Sequence, residues 1–207
     1  STHTNVNYTQ NPQTMPTFTS HNQTRKTNRF FSFLLMTMIA VFSIFIPSAQ
    51  AQIPVTVTGN TNTTPNLLAS YTNLAQALTD LNAVTAMTGP VVLTCTVGNA
   101  ETAPVKGFVL GSASLNPVLS ATNTITINKS GPGSVTINAG VGTAAGPAAS
   151  MDGMLYLNGA DYVTIDGLTF TDGNNTNATV AMEFGIALFK RNAGDGCNNN
   201  TIQNCTF

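Results

Sequence analysis

Residues 161–173 read DYVTIDGLTFTDG, and residues 200–207 read NTIQNCTF. Aligned on Thr-Ile, Val163–Phe170 and Asn200–Phe207 lie 37 residues apart and share Thr-Ile, three variable positions and Thr-Phe. In the first copy apolar and polar residues alternate, then Asp166-Gly167 interrupts the alternation. Alternation with period two predicts a strand with one buried face. Asp, Asn and Gly tolerate the left-handed backbone that a sharp corner needs. A chain that writes one strand and corner twice is expected to stack them, since like positions then touch like positions.

Upstream the pattern recurs. VVLTCTV (91–97) puts Val91, Leu93, Cys95 and Val97 on one face, and TITIN (124–128) and SVTIN (134–138) are near copies. MLYLN (154–158) and YVTID (162–166) extend the series, and these last four all end in Asn or Asp. No regular series of strands joined by two-residue turns is present, which disfavours a hairpin sandwich. One helical pattern precedes most of the strands. In SYTNLAQALTDLNAVTAMTGP, residues Tyr71, Leu74, Leu78, Leu81 and Val84 form one apolar stripe. The spacing predicts a helix over 71–87, with Ser70 as N-cap and Gly89-Pro90 as the stop. A stack of strands has an apolar end that such a helix can cover. The expected fold is therefore all-β: a right-handed parallel β-helix (solenoid) with a short N-terminal capping α-helix. Residues 52–67 read as a polar lead containing one alternating strand, IPVTVTG, and residues 68–207 as the incomplete β-helix.

Composition agrees. Of 207 residues 42% are apolar, enough for a real core, but only 7% are charged, against a usual share of about 25%. Disordered chains combine low hydrophobicity with high charge, so disorder is not the reading. Thr, Asn, Ser and Gly fill the polar positions, as in an extracellular β-protein. Beyond residue 51 four basic residues face eight acidic ones, a balance of −4. No basic stripe exists to grip phosphates, which excludes nucleic acid as a partner.

The first fifty residues carry an address. Arg25, Lys26 and Arg29 form a positive region, Phe30–Ile46 is a mostly apolar run of 17 residues, and Ala49-Gln50-Ala51 is a small-x-small site. Residues 24–51 thus read as a secretory signal peptide, cut between Ala51 and Gln52 and engaging the secretion machinery. An uncleaved anchor is the alternative, although the run is short for a span of about 20 residues. Residues 1–23 read as an upstream or disordered extension, with Met15 a candidate start. His3 and His21 fall outside the mature chain, which is left without the usual neutral-pH base.

The leader, NLAQALTDLNAVTAMTGPVVLTCTVGN and the units TITINKSGPGSVTINAG, DYVTIDGLTFTDG and NNTIQNCTF resemble the start of large secreted right-handed parallel β-helix proteins of the Bacteroidota. These belong to the pectate-lyase-like superfold. The resemblance covers roughly residues 68–207 and implies export to the cell surface. It also implies that the chain is an N-terminal fragment, broken off inside a turn of the helix. The expected work is structural, adhesive or glycan-binding, with extracellular polysaccharide as partner and no catalysis in residues 1–207. The alternative is the first part of a polysaccharide lyase or glycoside hydrolase whose catalytic turns follow Phe207.

Asp161, Asp166 and Asp172 offer carboxylates for glycoside hydrolysis, but each sits beside a corner Gly or a strand start, and Asp166 matches Asn128, Asn138 and Asn158 by position. The corner role is the plainer reading. The resemblance implies a Lys or Arg base for a uronate lyase, and Lys190-Arg191 is the one basic pair after the leader. Asp172 in TDGNN and Asp195 in AGDGCNNN could give oxygen ligands to calcium, without a recognised spacing. Asp166, Asp172, Asp195, Lys190 and Arg191 are thus the glycan or calcium candidates, with no catalytic set and no metal set assigned. Cys95 and Cys205 read as small core residues and Cys197 as a loop residue, with a Cys197–Cys205 disulfide open in an oxidising compartment. GVGTAAG (140–146) lacks the spacing and the Lys of a phosphate loop.

Overall fold

The alternating segments fold as strands. A computed structural model of the chain describes residues 51–142, 153–173 and 180–207. Both His residues, Ala49 and all of the leader except Ala51, together with most of GVGTAAG, lie outside the described residues. Every described element belongs to the compact unit Ala49–Phe207.

The described part begins with three short strands, β1 (Val55–Thr58), β2 (Thr63–Thr64) and β3 (Ser70–Tyr71), then helix α1 (Leu74–Asn82) and β4 (Ala86–Met87). Ten strands follow: β5 (Val91–Cys95), β6 (Asn99–Thr102), β7 (Phe108–Leu110), β8 (Ile125–Lys129), β9 (Val135–Asn138), β10 (Gly153–Asn158), β11 (Val163–Asp166), β12 (Thr169–Thr171), β13 (Phe184–Phe189) and β14 (Thr201–Gln203). One sheet has the order β14-β11-β8-β5-β1-β3, a second β13-β10-β7, a third β12-β9-β6, and β2 pairs with β4 alone. From β5 onward every pairing is parallel. Strand β1 runs antiparallel to both β3 and β5, which makes the first sheet mixed. The protein is therefore mostly β, with several small sheets and a single α-helix among the described residues. From β5 to β13 the chain visits the first, third and second sheets in fixed rotation, and β14 returns to the first.

The repeat pairs with itself. Thr164 lies opposite Thr201, Ile165 opposite Ile202 and Asp166 opposite Gln203. Thr169 bridges to Thr206, and the Phe170 and Phe207 rings stack at 5.3 Å with 11° between planes. The corners match as well. Gly167 and Asn204 both take positive φ, 76° and 54°, as do Tyr162 and Asn199 at 56° and 57°. Asn204 can replace Gly167 because Asn tolerates the left-handed conformation better than most side chains. Tyr162 is the exception, a bulky residue held where such residues are outliers. The likeness of TITIN to SVTIN has a different cause. Strand β8 pairs with β5 and β11, whereas β9 pairs with β6 and β12. The two are consecutive strands in different sheets. Their resemblance reflects a shared need for two inward apolar residues and a polar corner.

Inward residues form columns through the core. Leu93, Ile127 and Ile165 are paired in register and fully buried, as are Val91, Ile125 and Val163. Leu110 and Leu157 form a column in the second sheet. Each such side chain contributes about 1.5–3 kcal/mol by leaving water. Tight corners bring backbones together: Gly107, at φ 89°, stands where a Cβ would collide with the Gly153 carbonyl oxygen.

Helix α1 is shorter than the predicted 71–87. Its N-cap is Asn73, whose side chain accepts the Gln76 N–H at 2.8 Å, and not Ser70. Ser70 and Tyr71 pair with β1, and Ala86 and Met87 pair with β2. Sheet pairing therefore claims both ends of the apolar stripe. Leu74, Ala77, Leu78 and Leu81 keep the helical face buried, while Tyr71 and Val84 are buried outside it.

Candidate functional site

Asp166 ends β11 and is held by the chain beyond it. Its carboxylate accepts the Asn204 Nδ2 at 2.8 Å and the Gln203 Nε2 at 3.0 Å. These bonds, with Asn204 foremost and the Lys129 charge in support, pull its pKa below the ordinary carboxylate value. Asp161, at the other end of β11, accepts the backbone N–H of Asn198. Both carboxylates therefore fasten one strand unit to the next, and β11 separates them. In the neighbouring strand Asn128, opposite Asp166, has a buried Oδ1 without a hydrogen-bond partner. Asp172 follows β12, half-buried.

The other three candidates lie together after β13. Arg191 Nε pairs with Asp195 Oδ2 at 2.5 Å. The same oxygen accepts Asn116 Nδ2 at 3.0 Å, and that Nδ2 also reaches the Asn158 carbonyl at 2.9 Å. Residues 191–195 close into a tight turn through backbone bonds between Arg191 and Asp195 and between Asp195 and Asn192. Lys190 is exposed.

Lys190 directly follows an aromatic run that the sequence reading did not single out. The rings of Phe189 and Tyr156 meet edge to face at 5.8 Å, and those of Phe189 and Phe184 at 6.3 Å. Tyr156 alternates with the buried Leu155 and Leu157 on β10, so it faces outward. Burial raises its pKa, keeping the phenol a hydrogen-bond donor. The available signal was parity: in MLYLN the Tyr occupies a polar-face position. The resulting surface is an aromatic run on β10 and β13, bordered in sequence by an exposed ammonium and a fixed Arg191–Asp195 pair.

A second site centres on Glu101, which sequence reading also passed over. Glu101 lies on β6 in register with the buried Ile137 and is itself buried. Its Oε2 accepts the N–H groups of Ile53 at 3.1 Å and Leu74 at 2.8 Å, and its Oε1 accepts that of Ala75 at 3.1 Å. Two of these donors belong to the first turn of α1, where a negative charge is favoured. A cleft of about 440 Å³ adjoins it, lined by Ala51, Gln52, Glu101, Val105, Phe108 and Val141 among others. The predicted cleavage junction Ala51–Gln52 thus forms part of its wall. With three donors in place, Glu101 is a fastening.

All three cysteines are free thiols. Burial pushes the Cys95 pKa up to about 12, with the Glu101 charge adding to the effect, and burial also raises that of Cys197. Cys197 lies in the loop between β13 and β14, as expected, and packs against the core with its sulfur 3.2 Å from the Leu157 carbonyl. Among the described residues no group of three or more His, Cys, Asp or Glu side chains is placed to hold a metal ion. Of the two loop carboxylates considered for calcium, Asp172 follows β12 and Asp195 lies after β13, where the Asn116 amide and the Arg191 guanidinium engage it. No family model matches the chain, and neither a curated protein nor a solved structure is found to resemble it.

Proposed function

We propose that the chain is a right-handed parallel β-helix capped by α1, exported through its leader, that binds polysaccharide at the cell surface. The fixed rotation through three parallel ladders supports the architecture. The leader pattern ending at Ala51 supports export.

The observation that carries the binding reading is the contact of Tyr156 with Phe189 on the outward face of β10 and β13, with the exposed Phe184 ring beside Phe189. Sugar rings present C–H faces that pack on aromatic rings, while their hydroxyls need polar groups at the border. Tyr156 offers a phenol, Lys190 an ammonium, and the Arg191–Asp195 pair a fixed polar edge. The test is affinity electrophoresis of the exported protein through gels containing neutral or acidic polysaccharides. At least one polysaccharide should retard it. Replacing Tyr156 or Phe189 with Ala should weaken that retardation about tenfold each, the worth of roughly 1.4 kcal/mol. Migration unaffected by every polysaccharide, or unaffected by both substitutions, overturns the reading.

A further inference from the structure

The hydrogen bonds of the buried Glu101 carboxylate all come from neutral donors, the backbone N–H groups of Ile53, Leu74 and Ala75, two on Oε2 and one on Oε1. An ionised carboxylate offers about four acceptor sites, so one stays open. Among the described residues the cleft beside it has no Lys, Arg or His in its walls. A buried charge is costly until an opposite charge joins its hydrogen bonds. The junction Ala51–Gln52 stands in that same wall, exposed, directly before the fully buried Ile53. The Gln52 nitrogen is three covalent bonds from the Ile53 nitrogen, at most about 4.3 Å. The Ile53 nitrogen is itself 3.1 Å from Oε2.

We propose that removal of the leader supplies the opposite charge: the new α-ammonium of Gln52 becomes the cationic partner of Glu101 and ties the start of the mature chain to β6 and α1. The proposal rests on the export reading, with its cut after Ala51. In that cut the hydroxyl of water adds to the Ala51 carbonyl carbon, the peptide C–N bond breaks, and the freed Gln52 amine takes up a proton. An α-amine has a pKa of about 8, so at neutral pH it is mostly charged. Ile53 is held by its burial and its N–H bond, so rotation about the Gln52 ψ angle swings only the freed terminus toward the open acceptor site. Before the cut the same nitrogen is a neutral amide carrying the leader. A second consequence falls on Gln52 itself. A free N-terminal Gln loses ammonia when its amine attacks its own Cδ: the N–Cδ bond forms, the Cδ–Nε2 bond breaks, and a lactam closes. An ammonium held by Glu101 has no electron pair for that attack, so the paired terminus resists cyclisation.

The test uses the exported protein. Intact mass and amino-terminal sequencing should find a chain that starts at Gln52 with a free amine. Glutaminyl cyclase should close the lactam about tenfold more slowly than in Glu101→Gln, the scale of one hydrogen bond to a charged group. Once closed, the lactam should lower the urea midpoint of the wild-type chain and leave that of Glu101→Gln unchanged. Gln52→Ala, which cannot cyclise, should keep the wild-type midpoint with or without the enzyme. Where Glu101→Gln does not fold, the comparison of open and closed wild-type termini decides alone. A chain that starts at Gln52 but arrives already cyclised, or whose midpoint ignores closure, overturns the proposal and leaves export standing. An exported chain with a different start overturns the proposal together with the cut after Ala51. Retention in the cell with the leader attached overturns the export reading as well. The assay does not involve the aromatic run, so the polysaccharide reading stands or falls separately.

Discussion

The first and the last strands of the described chain differ in what covers their inward residues. At the first end each leading strand is covered. Strand β1 pairs along β5, with Val57 opposite Leu93 and Val55 opposite Cys95. The inward Glu101 of β6 binds the first turn of α1. Strand β7 is tied to the helix end through Asn82, whose amide donates to the Val109 carbonyl and accepts the Gly111 N–H, both at 2.8 Å. At the last end the inward residues Ile202, Leu188 and Phe207 meet solvent. The covered first end uses hydrogen bonds to one buried carboxylate, while β14 is tied to β11 by hydrogen bonds on its polar face, where Asp166 accepts from Gln203 and Asn204.

The largest expected effect is at Glu101. Replacement by Leu removes a charged acceptor and leaves three buried or half-buried N–H groups without it. Each such loss costs about 1–3 kcal/mol, so Glu101→Leu should destabilise by at least about 3 kcal/mol in urea unfolding. Glu101→Gln keeps one acceptor oxygen and should fall between. If Glu101→Leu unfolds at the wild-type midpoint, the covered end is held by packing alone.

The second effect compares one column with itself. Ile165→Ala inside the first sheet should cost about 2–5 kcal/mol, the range for deleting a fully buried aliphatic side chain. Ile202→Ala, one strand further, should cost under about 1 kcal/mol, because its side chain is already 40% exposed. Equal costs would mean that Ile202 is as well buried in solution as Ile165.

The same contrast shows what could be read in advance. The register of Val163–Phe170 on Asn200–Phe207 was legible because stacking copies local sequence, so Thr-Ile and Thr-Phe mark positions that touch. The left-handed corners at Gly167 and Asn204 were legible for the same reason. TITIN and SVTIN were less informative, since similar strands serve different sheets. The ends of α1 moved because strand pairing of Ser70–Tyr71 and Ala86–Met87 outweighed a helical apolar stripe. Glu101 carried no local signal. Its partners are 26, 27 and 48 residues away, and only the folded chain brings them to one carboxylate. The aromatic run was hidden in the same way, spread over positions 156, 184 and 189.

The smallest expected effect lies on the polar face between β11 and β14, where Asp166 accepts the side-chain amides of Gln203 and Asn204. The folded-state pKa of Asp166 is depressed, so its ionised form is the one the folded chain favours. Its stabilising contribution is then fully present above the ordinary carboxylate pKa and fades as pH falls through the lower folded value. Proton uptake must break or reorient the two amide bonds, loosening β14 and its corner before the covered end responds. Hydrogen exchange at Gly167 and Ile202 should therefore quicken, relative to the intrinsic rate, as pH drops below the usual carboxylate range. Asp166→Asn, which cannot titrate, should abolish that dependence while leaving exchange in β5 unchanged. The side chain is exposed, so water competes for its bonds and the effect should stay local to β14 and its corner. A matching change in β5 would mean that the two ends unfold as one unit, and that the difference in their covering does not divide the molecule's stability.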